Sequence, residues 1–276
     1  MRVPFLQVQG ANIWYIQEGE GPDIIWIPGG DNVAEDWSYQ IEAFRSDFRN
    51  TAFDPRGAGR TTSERQPPWS IEAMARDCAE LIRAVCKPPV VVVGLSMGSF
   101  VVLQLAMDFP ELVRCAIPMG TAAKATGFCL DWMKAEVEFR KAGASLPFEF
   151  AVHHYGAFMY PSEVLGDDVL WAKLRPFVER SYGDRDGPLL AAQWQACIEF
   201  DVSEKLPGCQ VPIDVIGFSQ DMQTPPNLGR RAAELAGNGR FHLLEGLSHM
   251  SLVGHRPEVV NRRIRNIIES REEHTS

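Results

Sequence analysis

Short runs of consecutive apolar residues alternate along the chain with stretches whose apolar positions recur every three or four residues. The runs Asp23–Ile27, Arg49–Phe53, Val90–Val93, Val113–Met119, Val211–Gly217 and Gly239–Leu244 predict strands, most of them buried on both faces. The stretches between them predict helices: Asp36 to Phe44, Ile71 to Val85 behind an N-cap at Ser70, Ser99 to Ala106, about Leu228 to Ala236, and Pro257 to about Ile268. Phe5–Gln9 and Asn12–Gln17 flank Gly10-Ala11 and predict an antiparallel hairpin. Repeated strand–helix–strand units call for an α/β fold, a mostly parallel sheet with helices on both faces. The polar tail Ser270–Ser276 is expected to fray.

From Gly120 to about Leu206 the alternation stops. Strand signals nearly vanish, and aromatic residues sit on helix-like segments broken by Gly143, Pro147, Pro161, Pro176 and Pro188. This predicts a helical lid at 120–206, inserted after the sixth strand, over a core made of 1–119 and 207–276.

The sharpest chemical signal follows the four valines: Gly94-Leu95-Ser96-Met97-Gly98, then an apolar helix. Gly-x-Ser-x-Gly between a buried strand and a helix is the elbow that lifts a serine hydroxyl above a sheet, with the next backbone N–H facing a developing oxyanion. A serine needs a base, and the base needs an acid to orient it. His249, in Gly246-Leu247-Ser248-His249-Met250, follows the last strand; Asp221, in Asp221-Met222-Gln223-Thr224-Pro225-Pro226, follows the one before it. Ser96, Asp221, His249 is thus the expected triad, in the chain order this elbow requires. Asp54 and Asp201 are the rival acids. Among the other histidines, His242 reads as half-buried and structural, His255 as a local cap or pair, and His274 as tail. His153-His154 lack a third ligand at metal spacing, so no metal is expected. The second oxyanion donor should come from the Gly29-Gly30 loop, with Gly30 paired to Met97. Gly57-Ala58-Gly59 lacks the Gly-Lys-Ser/Thr ending of a phosphate loop, so no nucleotide site is expected.

Composition narrows the field further. With 276 residues, 45% hydrophobic and 23% charged, the chain is an ordinary globular protein with enough length for a large core. A net charge of -9 and no basic stripe argue against nucleic acid. Six cysteines without paired spacing read as free thiols of a reducing compartment. The opening residues show no signal-peptide pattern and no run is long enough to span a bilayer, which sets the expectations of a cytoplasmic location and no membrane partner.

These motifs, with Pro28-Gly29-Gly30 and Asp54-Pro55-Arg56-Gly57-Ala58-Gly59, resemble the α/β-hydrolases of the small lidded type that includes 3-oxoadipate enol-lactonases, esterases and C–C bond hydrolases. The resemblance spans nearly the whole chain. It implies the α/β-hydrolase fold, Ser96 as nucleophile, His249 as base, Asp221 as its orienter, Gly30 and Met97 as oxyanion donors, and no cofactor. Pro28 stands where the family usually carries a histidine that braces the oxyanion loop.

The leading expectation is hydrolysis of a small, largely apolar or ring-bearing ester or lactone by a monomer or homodimer. Trp132, Tyr155, Phe158 and Trp194 from the lid, and Met222 and Met250 beside the triad acid and base, are the expected substrate contacts. Carbon–carbon cleavage of a β-diketone or vinylogous keto acid is the alternative, and would want a cation from Arg140, Arg175, Arg180 or Arg185. A ligand receptor that retains the triad is a third reading.

Overall fold

The computed structural model describes residues 4–64, 66–183 and 187–272. Its strands are β1 (Phe5–Val8), β2 (Ala11–Glu18), β3 (Asp23–Ile27), β4 (Arg49–Phe53), β5 (Thr62–Ser63), β6 (Val90–Leu95), β7 (Val113–Met119), β8 (Ile213–Phe218) and β9 (Gly239–Leu244). They form one sheet in the order β1-β2-β4-β3-β6-β7-β8-β9, with the two-residue β5 attached to β2. The β1–β2 hairpin and the β2–β4 pair are antiparallel; from β4 to β9 along this order, neighbours are parallel.

The helices are α1 (Ser38–Phe44), α2 (Ile71–Val85), α3 (Met97–Asp108), α4 (Gly127–Lys141), α5 (Phe148–Met159), α6 (Ser162–Leu165), α7 (Asp168–Gly183), α8 (Gly187–Glu199), α9 (Pro226–Leu235) and α10 (Pro257–Glu272). No helix among the described residues is long and apolar enough to cross a membrane.

The four-valine strand shows why the sheet must be covered twice. Successive side chains point to opposite faces. Val90 and Val92 join Ile25, Ile27, Leu81 and Val101 on one side, while Val91 and Val93 join Ile24, Trp26, Phe44 and Ile264 on the other. All four valines are fully buried, each stabilising the fold by roughly 1.5–3 kcal/mol relative to exposure. Helix α2 begins where its cap was expected: the Ser70 hydroxyl accepts the Ala73 N–H at 3.2 Å.

The connections place the site. From β3 the chain turns one way to β4, and from β6 the other way to β7, so β3 and β6 are neighbours whose following loops diverge. A crevice opens at the carboxyl ends of two such strands. The loop after β3 begins Pro28-Gly29-Gly30 and the turn after β6 is Ser96, so both motifs meet at that crevice.

Between β7 and β8 the described residues 120–183 and 187–212 add no strand to the sheet, only a single bridge between Lys124 and Asp201 at the neck. Counting β5, this helical segment follows the seventh strand rather than the sixth. Its buried side chains join both core clusters, Cys129, Met133 and Cys197 in one, Val152, Tyr155 and Met159 in the other. Hydrogen bonds tie α5 and the residue after it to the loops below. Met250 N–H donates to the Met159 carbonyl at 2.9 Å, Gln223 Nε2 to the Phe158 carbonyl at 3.3 Å, and Tyr160 Oη to the Val253 carbonyl at 3.1 Å.

The start of the expected tail, residues 270–272, departs from expectation, and residues 273–276 lie outside the described residues. Helix α10 continues through Ser270 to Glu272 instead of fraying, because Arg271 Nε reaches the fully buried Asp214 at 2.6 Å. The other Asp214 oxygen meets His242 Nε2 at 2.8 Å, which accounts for that histidine as a structural group. His274 and Arg185 lie outside the described residues.

Candidate active site

Ser96 sits at φ 55° and ψ −122°, a left-handed conformation that non-glycine residues rarely adopt and that costs on the order of 1–3 kcal/mol. Its N–H donates to the Met119 carbonyl at 3.0 Å, and Ser99 Oγ donates to the Ser96 carbonyl at 2.5 Å. The two glycines of the motif make this bend possible. A Cβ on Gly98 would overlap the Ile27 carbonyl oxygen, and one on Gly94 would overlap the backbone of Gly98. Gly98→Ala is therefore expected to lower stability by at least ~1–3 kcal/mol through overpacking, seen as a drop in Tm.

His249 and Asp221 are both buried and meet at 2.7 Å through His249 Nδ1 and Asp221 Oδ2. The other carboxylate oxygen accepts the N–H groups of Gln223 at 2.9 Å and Thr224 at 3.0 Å. Thr224 Oγ1 adds a bond to Asp221 Oδ2 at 2.9 Å and lies 3.2 Å from His249 Nδ1. With Nδ1 committed to the Asp221 carboxylate, Nε2 is the ring nitrogen left free of that pair. The sequence did not single out Thr224, although its place in the Asp221 turn was visible. Gly120, at φ 54°, was also missed: a Cβ there would lie 3.1 Å from His249 Cε1 and 3.3 Å from Asp221 Oδ2. The residue after β7 must lack a side chain for His249 and Asp221 to meet there.

The rival acids are used elsewhere. Asp54 accepts N–H bonds from Ala34 and Arg60, at 2.9 and 2.8 Å, and burial raises its pKa. Asp201 pairs with Lys124 at 2.6 Å on the surface, which lowers its pKa.

Ser96, His249, Gly30 and Met97 line one cavity of about 60 Å3. Its walls include four of the candidate contacts, Trp132, Tyr155, Trp194 and Met250, and also Asn32, Met133, Met159, Cys197, Gln223 and Thr224, which were not among the candidates. Burial pushes the Cys197 thiol well up, so it meets the cavity as a neutral group and not as a competing nucleophile. Met97 is the first residue of α3, where an N–H has no partner within the helix. Gly29 to Asn32 form a tight turn, with Asn32 N–H on the Gly29 carbonyl at 3.2 Å. In a trans peptide the Gly30 N–H then points away from that turn.

Two expected contacts fall outside the cavity lining. Met222 is 48% exposed, because residues 221–224 fold around the Asp221 carboxylate and turn the second side chain outward while Gln223 and Thr224 face in. Phe158 lies behind the wall, stacked on Trp132 with ring centroids 4.8 Å apart. Tyr155 offers its ring to the cavity, since its hydroxyl donates to Glu136 at 2.7 Å in a buried cluster with Arg140. That cluster occupies Arg140; Arg175 pairs with Glu149 and Glu179, and Arg180 packs over Phe177. Among the described residues no arginine or lysine lines the cavity. A larger groove of about 890 Å3 lies beside α8; Arg140 lines it, but none of the residues expected as triad, oxyanion donors or substrate contacts does.

The loop carrying His249 has its own support. Ser251 Oγ accepts the Ser248 N–H at 2.9 Å and meets His255 Nδ1 at 3.1 Å. Burial lowers the His255 pKa, outweighing the opposing charge of Glu163. A depressed histidine pKa adds stability that is present above the unfolded value of about 6.5 and lost as pH falls toward the folded value. The stability advantage of wild type over His255→Gln should therefore shrink between pH 7.5 and 5.5 in paired denaturant titrations.

Among the described residues no group of three His, Cys, Asp or Glu side chains could hold a metal ion. The model of the alpha/beta hydrolase family matches residues 24–263, and the chain belongs to that family. It is 30% identical over 255 residues to a Mycobacterium tuberculosis protein assigned by name to the non-heme bromoperoxidases, BpoC, covering 91% of this chain and 95% of that one. The crystal structure of BpoC superposes with a TM-score of 0.88 at 28% identity, covering 94% and 96% of the two chains. A Caulobacter protein named as the carbamate hydrolase RutD is 26% identical, covering 84% and 85%. The enol-lactonase of Burkholderia xenovorans shares the fold, with a TM-score of 0.85 at 20% identity, covering 96% and 100%.

Proposed function

We propose that this protein hydrolyses a carboxylic ester or lactone of a small, largely apolar or ring-bearing substrate, through an acyl-enzyme on Ser96. The observation that carries this reading is that His249, bound to Asp221 through Nδ1, lines one cavity together with Ser96, Gly30 and Met97. Ser96 Oγ attacks the carbonyl as His249 Nε2 takes its proton. The Gly30 and Met97 N–H groups receive the negative oxygen, an interaction worth far more in a water-poor site than in bulk. His249 then protonates the leaving alkoxide and activates the water that releases the acid. Asp221 keeps the imidazole in the tautomer that leaves Nε2 free.

A cavity of about 60 Å3 favours short or flat acyl groups, and residues 120–206 act as a lid whose aromatics set that preference. Exchanging Trp132 or Trp194 for a smaller apolar residue should move acyl preference about 10- to 200-fold, the worth of a methylene or so in an apolar pocket. A panel of p-nitrophenyl esters of increasing acyl length measures it, and an unchanged profile would remove those side chains from the specificity argument.

The likeness to BpoC favours one side reaction. Hydrogen peroxide replacing water on the acyl-enzyme would give a peracid, which oxidises added bromide to hypobromous acid as it returns to the carboxylic acid; bromination of a dye that requires both peroxide and bromide tests for it. Carbon–carbon cleavage is less favoured, since no described cation faces the cavity. Multiple turnovers on the ester panel would separate an enzyme from a receptor that binds and stalls.

A further inference from the structure

Gln193 belongs to α8 and is fully buried, yet it lies 162 positions from the loop it touches. Its Oε1 accepts the Asp31 N–H at 2.8 Å and its Nε2 donates to the Arg56 carbonyl at 2.6 Å. Asp31 is one of two non-glycine residues at positive φ among the described residues, at 60°, the other being Ser96. A side chain held in that conformation needs an external constraint. A Cβ on Gly57, at φ 83°, would overlap the Trp69 ring at 2.6 Å and crowd Gln193 Nε2 at 3.3 Å, so the bare backbone there lets both side chains pack against it. The Asp54–Gly59 stretch thus brackets the loop after β3 from two sides. Asp54 binds the Ala34 N–H directly, and the Arg56 carbonyl anchors Gln193, which holds Asp31. Arg56 is itself fixed by Asp77, at 2.5 and 2.8 Å.

We infer that Gln193 is a positioning residue for the oxyanion hole: through Asp31 it fixes the turn that presents the Gly30 N–H, so a helix of the inserted segment completes the catalytic geometry. This rests on the serine-hydrolase reading above. The brace comes from the far side of the loop, whereas position 28 holds a proline that can offer no hydrogen bond from its side chain.

Gln193→Met removes both hydrogen bonds at similar volume. The expected result is a kcat about 10- to 100-fold lower with KM within about threefold, below the full cost of losing an oxyanion donor. Affinity for a boronic acid, whose trigonal boron becomes tetrahedral on bonding Ser96 Oγ, should fall by the same factor, while that for the product acid stays within about threefold. Unchanged kcat, or equal weakening of boronate and product, would overturn the inference. Should the Met variant fail to fold, Gln193→Glu decides. Its carboxyl copies both hydrogen bonds only when protonated, so its rate relative to wild type should fall from pH 6 to 8, and a flat ratio would count against the inference. Ser96→Ala separates the two readings. If it retains hydrolysis, the serine reading fails; if it is inactive while Gln193→Met is unimpaired, only the positioning role fails.

Discussion

Ser96→Ala is expected to fold normally and to lose turnover by several orders of magnitude, because in the proposed mechanism the missing hydroxyl makes the covalent bond. The loss should reach ~10⁶ in kcat if the triad acts as a unit. His249→Ala should cost nearly as much, and the double variant little more than either alone, since both serve one proton-coupled step. The geometry supports such coupling: His249 is buried, its Nδ1 is committed at 2.7 Å, and it shares its cavity with Ser96. Steady-state rates with circular dichroism of each variant measure it. A double variant that shows the full sum of both losses would assign the residues to separate steps.

Asp221→Asn is expected to cost on the order of 10⁴ in kcat, as the equivalent change does in the serine-protease triad, by favouring the wrong histidine tautomer. An amide at 221 can turn an N–H toward Nδ1, which then has to accept, and Nε2 becomes a donor that cannot take the serine proton. The same change disturbs the Thr224 hydroxyl, which binds Asp221 Oδ2 at 2.9 Å. If Asp221→Asn stays active while Asp54→Asn or Asp201→Asn fails with its fold unchanged, the acid has been misassigned. The hydrogen bonds of Asp54 to Ala34 and Arg60, and the surface pairing of Asp201, speak for loop support and a surface tie instead.

The sheet and the Ser96, Asp221, His249 positions were legible because they depend on local text. A run of four β-branched valines between Pro88-Pro89 and Gly94 favours a strand covered on both faces, and a glycine-flanked serine behind such a strand matches the elbow pattern. What stayed hidden depends on residues distant in sequence. Gly120 must lack a side chain because His249 packs against it, yet 129 positions separate them. Gln193 reads as one more polar residue of an aromatic-rich helix until its partners at Asp31 and Arg56 are seen. Met222 was misplaced for a local reason: adjacency to Asp221 put it near the chemistry, but the turn around the carboxylate directs that one side chain outward. The last turn of α10 was read as a frayed tail because its anchor, Asp214, lies inside the sheet.

The central claim is that Ser96 carries the acyl group. Wild type treated with a fluorophosphonate and digested for mass spectrometry should give one adduct, on the peptide containing Ser96, formed in step with loss of esterase activity. The adduct should be absent from Ser96→Ala and greatly slowed in His249→Ala. Stoichiometric labelling at another residue, or complete inactivation with Ser96 unmodified, would contradict the account.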